Sequence, residues 1–282
     1  MAILLAYIFY FVASTSSKLQ RRQLATTRET DVGQIDFAFR VTLIIFVLTP
    51  LLILFNRPVF NQPIGTLIML STVCGAFGAI ALSTQYVAQR HVEAGLTSLI
   101  GNIYAPTTIV LATILLNEGL KARQVIGAIL LISSVVLVSR KHRLSRWRFD
   151  RYFWLNVIAG VALSFGLTAE RALIKYNSLT TGALLSWGSG ALFLGLAALA
   201  SGTKSQHNLK EASLTGSLRF LHQVSWIVLV TVVANLSVVS AVATFSTAVT
   251  FFAAAIFLHE REDLKRKIIG SFIAAAGLLL MV

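Results

Sequence analysis

From Ile64 to Ala88 the chain passes through 25 residues without an Asp, Glu, Lys, Arg or His. A helix rises about 1.5 Å per residue, so this segment crosses the roughly 30 Å hydrocarbon layer of a bilayer with residues to spare. Similar runs recur along the whole chain. Only 12% of residues are charged and 56% are hydrophobic, whereas a soluble domain carries about 25% charged residues. A core of this size cannot hide so much apolar surface, so much of it meets lipid. The chain reads as an all-α integral membrane protein that crosses the bilayer many times.

The apolar runs place ten helices at about 2–22, 36–55, 64–88, 94–116, 121–139, 152–174, 180–200, 217–234, 238–258 and 265–282. The eighth and ninth are divided only by "ANLS" (Ala234 to Ser237). "VASTSS" offers small residues for a cleavage site, but Met1-Ala2-Ile3-Leu4 lacks the basic start of a secretory signal. The first run is therefore read as a retained helix.

The net charge of +13 has a topological reading, because Lys and Arg collect in cytoplasmic loops. With ten helices, the side reached by loops 1–2, 3–4, 5–6, 7–8 and 9–10 holds 19 of the 24 basic residues. The other side holds Arg57, Lys121, Arg123, Arg171 and Lys175. Both termini are then expected outside the cytoplasm, in a plasma or inner membrane. The densest basic patch is "RKHRLSRWRFDR" (Arg140 to Arg151). It suits anionic headgroups, with Trp147 and Phe149 at the interface, better than it suits nucleic acid.

That patch also divides the chain into residues 1–139, a basic linker 140–151, and residues 152–282, with five helices on each side. A pattern recurs at the same place in both halves, before the fifth helix. It reads "TILLNEGLKARQVIG" from Thr113 and "AIFLHEREDLKRKIIG" from Ala255. Five is odd, so two such units in series must lie in the membrane with opposite orientation. Inverted repeats of this kind mark secondary transporters, with the substrate site near the midplane.

On these residues the chain resembles the drug/metabolite transporter superfamily, in particular the EamA-like ten-helix permeases. The resemblance is carried by "FAFR" (Phe37 to Arg40), by the stretch "AGLTSLIGNIYAPTTIVLATILLNEGLKARQVIGAILLISSVVLV", and by "STAVTFFAAAIFLHE" and "IIGSFIAAAGLLLMV". Pro106, Glu118 and Gly127 fall where the family has its Pro, Glu and Gly. Ala248 stands where the second Pro would recur, the eighth helix looks short, and many relatives keep both termini in the cytoplasm. The resemblance implies a carrier of small metabolites or drugs working by alternating access without ATP. Such carriers are often exporters of amino acids or related compounds, and many are proton-coupled.

Several polar residues inside the spans are candidates for the site. Pro106, followed by Thr107 and Thr108, predicts a kink in the fourth helix that either shapes a cavity or serves packing. Asn102 and Tyr104 lie one turn earlier; Asn102 either contacts substrate or bonds a neighbouring helix. Glu170 and Arg171 interrupt the sixth helix. Glu170 is a candidate for proton coupling, since a buried carboxyl readily takes up a proton, and Arg171 for an anionic group of the substrate. The alternative is that Arg171 and Lys175 snorkel to the interface, with Glu170 neutralising one of them; Lys18, at the end of the apolar part of the first helix, is read as snorkelling too. Tyr86, Tyr104 and Trp187 suit an aromatic ligand; Trp226 serves the same purpose or an interfacial belt. Glu118 and Glu260 read as capping or pairing residues. Stripes such as Gly75, Ala79 and Ser83, or Gly182, Ser186 and Gly190, predict close helix approach.

An enzyme is not indicated. HExxH, CxxC and GxxxxGKS are absent, and the five His are expected near span ends without ligand spacing. The single Cys74 allows no internal disulfide or thiolate cluster. No metal or cofactor is expected. The partners expected are a small-molecule substrate (an amino acid, other metabolite or drug), the lipid bilayer, protons and a second copy in a homodimer. The alternative reading is a channel or a membrane scaffold.

Overall fold

A computed structural model describes residues 2–27, 30–116, 122–139, 150–233, 236–260 and 263–281. Among these the chain forms helices α1 (Ala2–Thr27), α2 (Gly33–Leu48) with a 3₁₀ extension (Thr49–Leu54), α3 (Ile64–His91), α4 (Ala94–Gly101), α5 (Tyr104–Leu116), α6 (Ala122–Ser139), α7 (Arg151–Tyr176), α8 (Leu179–Ser201), α9 (Leu209–Val233), α10 (Leu236–Phe257) and α11 (Leu264–Met281). Four segments are long and apolar enough to cross a membrane: Gly33–Leu54, Ile64–His91, Arg151–Tyr176 and Leu179–Ser201. Glu118 and most of the basic linker lie outside the described residues.

Three expectations need correction. The fourth helix is not one kinked rod over 94–116. It stops at Gly101 and restarts at Tyr104, so the break precedes Pro106. The cause is the missing proline amide: an amide at position 106 would have bonded the carbonyl of Asn102. That carbonyl instead accepts from the Ala105 amide at 3.0 Å, and Pro106 falls in the first turn of α5, where a helix tolerates it. The eighth span is not short. It is α9, 25 residues long, and it begins at Leu209 because Asn208 and Glu211 form a capping box. The Glu211 amide donates to Asn208 Oδ1 at 2.9 Å and the Asn208 amide to Glu211 Oε2 at 3.0 Å. As a result His222 lies mid-helix rather than near a span end.

The two ends of the bundle are built differently. At one end the connections α1–α2, α3–α4, α8–α9 and α10–α11 meet the start of α7. Asp31 bonds Arg90 at 2.9 Å, His91 at 2.7 Å and the Tyr152 hydroxyl at 3.1 Å. Arg22 pairs with Glu260 at 2.9 Å, Lys267 pairs with Glu93, and the Ser205 amide donates to Asp36 at 2.8 Å. The described residues of all five basic connections thus gather on one side. Glu260 also accepts from the amide of Ala94, the first residue of α4, at 3.0 Å, so it caps and pairs as its sequence context suggests.

At the other end neutral hydrogen bonds join the α2–α3 and α7–α8 connections. The Val59 amide donates to Thr181 Oγ1 at 2.9 Å, and the Asn61 amide to Asn177 Oδ1 at 3.0 Å.

Close helix packing depends on small residues. A side-chain carbon at Gly75 of α3 would lie 2.7 Å from Ser189 of α8, and one at Gly277 of α11 would lie 2.6 Å from the Gly127 carbonyl of α6. The apolar core falls into two main clusters. One is centred on Leu99, Ile100, Leu131 and Phe251; the other on Phe37, Tyr86, Trp187, Leu194 and Phe220.

Candidate functional site

The break between α4 and α5 opens onto a polar zone shared by α1, α3, α9 and α10. Asn102 caps the end of α4, and its Nδ2 donates to Thr247 Oγ1 of α10 at 3.3 Å. Tyr104 begins α5 and lies within electrostatic reach of Tyr10 on α1, whose hydroxyl lies beside Ser14 and Ser246. Thr15 of α1 and Thr250 of α10 share a hydrogen bond at 3.4 Å. Gly160 of α7 holds the broken helix end closely, since a side-chain carbon there would lie 3.1 Å from the Gly101 carbonyl.

Gln85 of α3 continues the zone toward α1 and α9. It lies beside Gly101, and its Oε1 accepts from Arg21 at 3.3 Å. The next residue, Tyr86, is 2% exposed and carries two guanidiniums. Arg21 of α1 lies 5.1 Å and Arg219 of α9 lies 5.8 Å from its ring centre. Arg219 also donates to the Tyr86 hydroxyl at 3.4 Å. Lys18, one turn before Arg21, and His222, one turn after Arg219, complete the group: His222 is within electrostatic reach of Lys18, Arg21 and Arg219. Tyr10 and Trp226 close its aromatic side, with Tyr10 at 5.2 Å from the His222 ring and 5.9 Å from the Trp226 ring.

Glu170 occupies a second polar site, between α7 and α8. Its Oε1 accepts from Ser186 Oγ at 2.8 Å and from Trp187 Nε1 at 3.1 Å. Among the described residues no cation pairs with it. The Trp187 ring meets Phe220 edge-on at 6.0 Å, which connects this site through α9 to the residue next to Arg219. Arg171 is exposed, on a different face of α7 from Glu170.

Of the residues singled out by sequence, Asn102 and Tyr104 lie at the broken helix, whereas Tyr86 packs in the core with Phe37 and Trp187, against Arg21 and Arg219. Glu170 and Trp187 form a bonded pair between α7 and α8, Pro106 lies in the first turn of α5, and Arg171 stands apart from both groups. Sequence reasoning did not pick out Arg21, Arg219, His222, Tyr10, Gln85 or Thr247. The signal for Arg219 and His222 was present in "NLKE" (Asn208 to Glu211), which starts α9 early enough to place both inside a long helix.

Comparison with known proteins bears on what such a site belongs to. Residues 1–140 match the family model described as the EamA-like transporter family, part of the drug/metabolite transporter superfamily. The curated proteins gave no match. In structure, the chain aligns with a crystal structure described only as "Crystal structure of protein", at a TM-score of 0.59 and 11% identity, covering 99% of this chain and 96% of that one. This likeness concerns the fold alone.

Proposed function

Given that residues 1–140 belong to the EamA-like transporter family, we propose that this chain is a secondary-active permease for a small metabolite or drug. It works by alternating access between two five-helix halves of inverted orientation. The observation that carries this reading is the broken α4–α5 helix facing the polar zone of α1 and α10, the kind of discontinuous helix on which carriers build midplane sites.

The pattern of helix contacts supports the inverted halves. Exchanging α1 with α7, α2 with α8, α3 with α9, α4–α5 with α10, and α6 with α11 turns the α3–α7 contact into α1–α9. It likewise turns α3–α8 into α2–α9 and α1–α10 into α5–α7, and it leaves α2–α8 and α6–α11 in place. All of these pairs are in contact.

In this reading Asn102, Tyr104 and Tyr86 face the substrate, and Trp187 lines the route while holding Glu170. Glu170 couples transport to protons: both its donors meet Oε1, which leaves Oε2 for a proton. Arg171 guides anionic groups at the exposed rim. The direction proposed is export, with both termini outside the cytoplasm. A cysteine introduced at Ser145 of the basic linker, in a Cys74→Ser background, should be shielded from impermeant maleimide in intact cells; labelling there would reverse the orientation.

The transport reading is tested in phosphatidylcholine proteoliposomes with radiolabelled L-phenylalanine, phenyl phosphate and phenethylamine. Saturable uptake with counterflow is expected for at least one probe. Flux in proportion to the gradient would identify a channel, and no flux of any probe would favour a scaffold.

A further inference from the structure

Two groups of basic residues in this bundle contrast. At the loop end most have carboxylate partners: Arg22 with Glu260, Arg40 with Asp36, Arg90 with Asp31, and Lys267 with Glu93. Further inside, Lys18 and Arg21 of α1 face Arg219 and His222 of α9, and among the described residues no Asp or Glu pairs with any of the four. The contrast is sharpest between neighbours. Arg22 has a carboxylate, whereas Arg21, only 5% exposed, has the Ser17 carbonyl, the Gln85 side chain and the Tyr86 ring.

Like charges gathered on facing helices repel, and the repulsion grows as water is excluded. A sequence under no other demand would place a carboxylate there or remove a charge. Instead the fold holds two guanidiniums on one buried tyrosine and adds an ammonium and an imidazole one helical turn away. Planar guanidinium forks match carboxylate and phosphate oxygens, and two or three cations match more than one negative charge. Tyr10, Tyr86 and Trp226 supply aromatic faces around them.

We propose that Lys18, Arg21, Arg219 and His222 form an oxyanion-binding site, and that the substrate is a small organic anion carrying a phosphate or carboxylate group on an apolar or aromatic body. This deepens the permease reading and rests on it. Arg21 and Arg219 grip the oxyanion from α1 and α9, with Tyr86 as the platform that holds them. Gln85 and Asn102 meet the polar remainder of the molecule at the broken helix. The substrate supplies the missing negative charge, so its binding offsets the repulsion that the packed α1–α9 pair carries without it.

The test uses the full chain in phosphatidylcholine nanodiscs, which contain no anionic lipid. Phenyl phosphate, benzoate and phenethylamine are each titrated while thermal stability is followed. A saturable rise in melting temperature is expected with phenyl phosphate, a smaller one with benzoate, and none with phenethylamine. Arg219→Gln and Arg21→Gln should each weaken phenyl phosphate binding at least tenfold, with Arg219→Lys intermediate. The ligand-free Gln variants should melt higher than the wild type, because one member of a repelling set is gone; this reading also shows that they fold.

No stabilisation by either anion would overturn the proposal, as would Gln variants that bind as the wild type does. Stabilisation by added phosphatidylglycerol alone would also overturn it, since the oxyanion would then be a lipid headgroup. Counterflow separates this failure from failure of the transport reading. Counterflow of phenylalanine or phenethylamine without any anion effect leaves a carrier with a different substrate.

Discussion

Glu170 and the Arg21–Arg219 pair are both charged groups drawn inside the bundle, yet the fold treats them differently. The carboxylate oxygen of Glu170 meets two donors from the adjacent helix, Ser186 and Trp187. The two guanidiniums meet the ring and hydroxyl of Tyr86, one amide and one carbonyl, and no counter-charge among the described residues. Burying a charge is costly unless it is paired and hydrogen-bonded, so the first site is nearly complete in itself and the second is not. A nearly complete site lacks at most a proton; the other lacks a whole anion. The difference suggests a way to read membrane bundles, in which an unfinished network is the better pointer to cargo.

The largest effect should come from finishing the unfinished site. Arg219→Glu places a carboxylate beside Arg21 and mimics the bound anion. Phenyl phosphate binding should fall about a hundredfold or more, equivalent to ~2.8 kcal/mol, while the ligand-free protein becomes more stable. Calorimetric titration together with a melting curve checks both, and unchanged affinity would remove the contrast.

Next in size is the opposite change, unfinishing the finished site. Trp187→Phe keeps most of the ring but deletes one donor to Glu170, and should cost about 1–3 kcal/mol of stability. A melting curve indistinguishable from wild type would mean that the donor contributes nothing. Glu170→Gln should change stability by less, because an amide oxygen can still accept from Ser186 and Trp187. Its signature is functional: the pH dependence of uptake should flatten, and a retained pH profile would take proton coupling away from this residue.

The smallest effect is expected at the loop end. Burial opposes ionisation of Asp31, but hydrogen bonds from His91, Arg90 and Tyr152 outweigh it and hold the carboxyl below its ordinary value of 3.8. A carboxyl lowered in this way contributes stability above its unfolded-state value and loses it as pH falls through the folded one. Asp31→Asn should therefore lower stability at neutral pH by under ~1 kcal/mol, as partly exposed pairs do, and leave it unchanged in strong acid. Melting temperatures of both proteins between pH 7 and pH 3 would show whether the two curves converge.

Much of the fold can be read from the sequence because membrane length and charge are coarse signals. The uncharged run of α3 and the basic loops suffice for a helical membrane protein whose basic connections share one side. The Pro106 neighbourhood is legible as irregular, but not the position of the break, which depends on where the Asn102 carbonyl finds its donor. Asn102, Tyr104 and Tyr86 stand out as polar or aromatic residues inside spans. Arg219 and His222 do not, because a helix start set by hydropathy at 217 puts them at a boundary where charge is ordinary. Arg21 is hidden by its neighbour: in "KLQRR" nothing distinguishes the arginine that pairs with Glu260 from the one that turns inward.

The two ends of the bundle have one further consequence. One is fastened by ion pairs, including Arg22–Glu260, Lys267–Glu93 and Arg90–Asp31; the other by neutral bonds such as those from Val59 and Asn61. Added electrolyte weakens attraction between partly exposed charges and leaves neutral bonds nearly untouched. Ionic strength is therefore a lever on one door only. Amide exchange at His91 and Val92 should quicken in concentrated salt while that at Val59 and Asn61 holds steady, and a molecule with this construction rests in a different posture in brine than in dilute buffer.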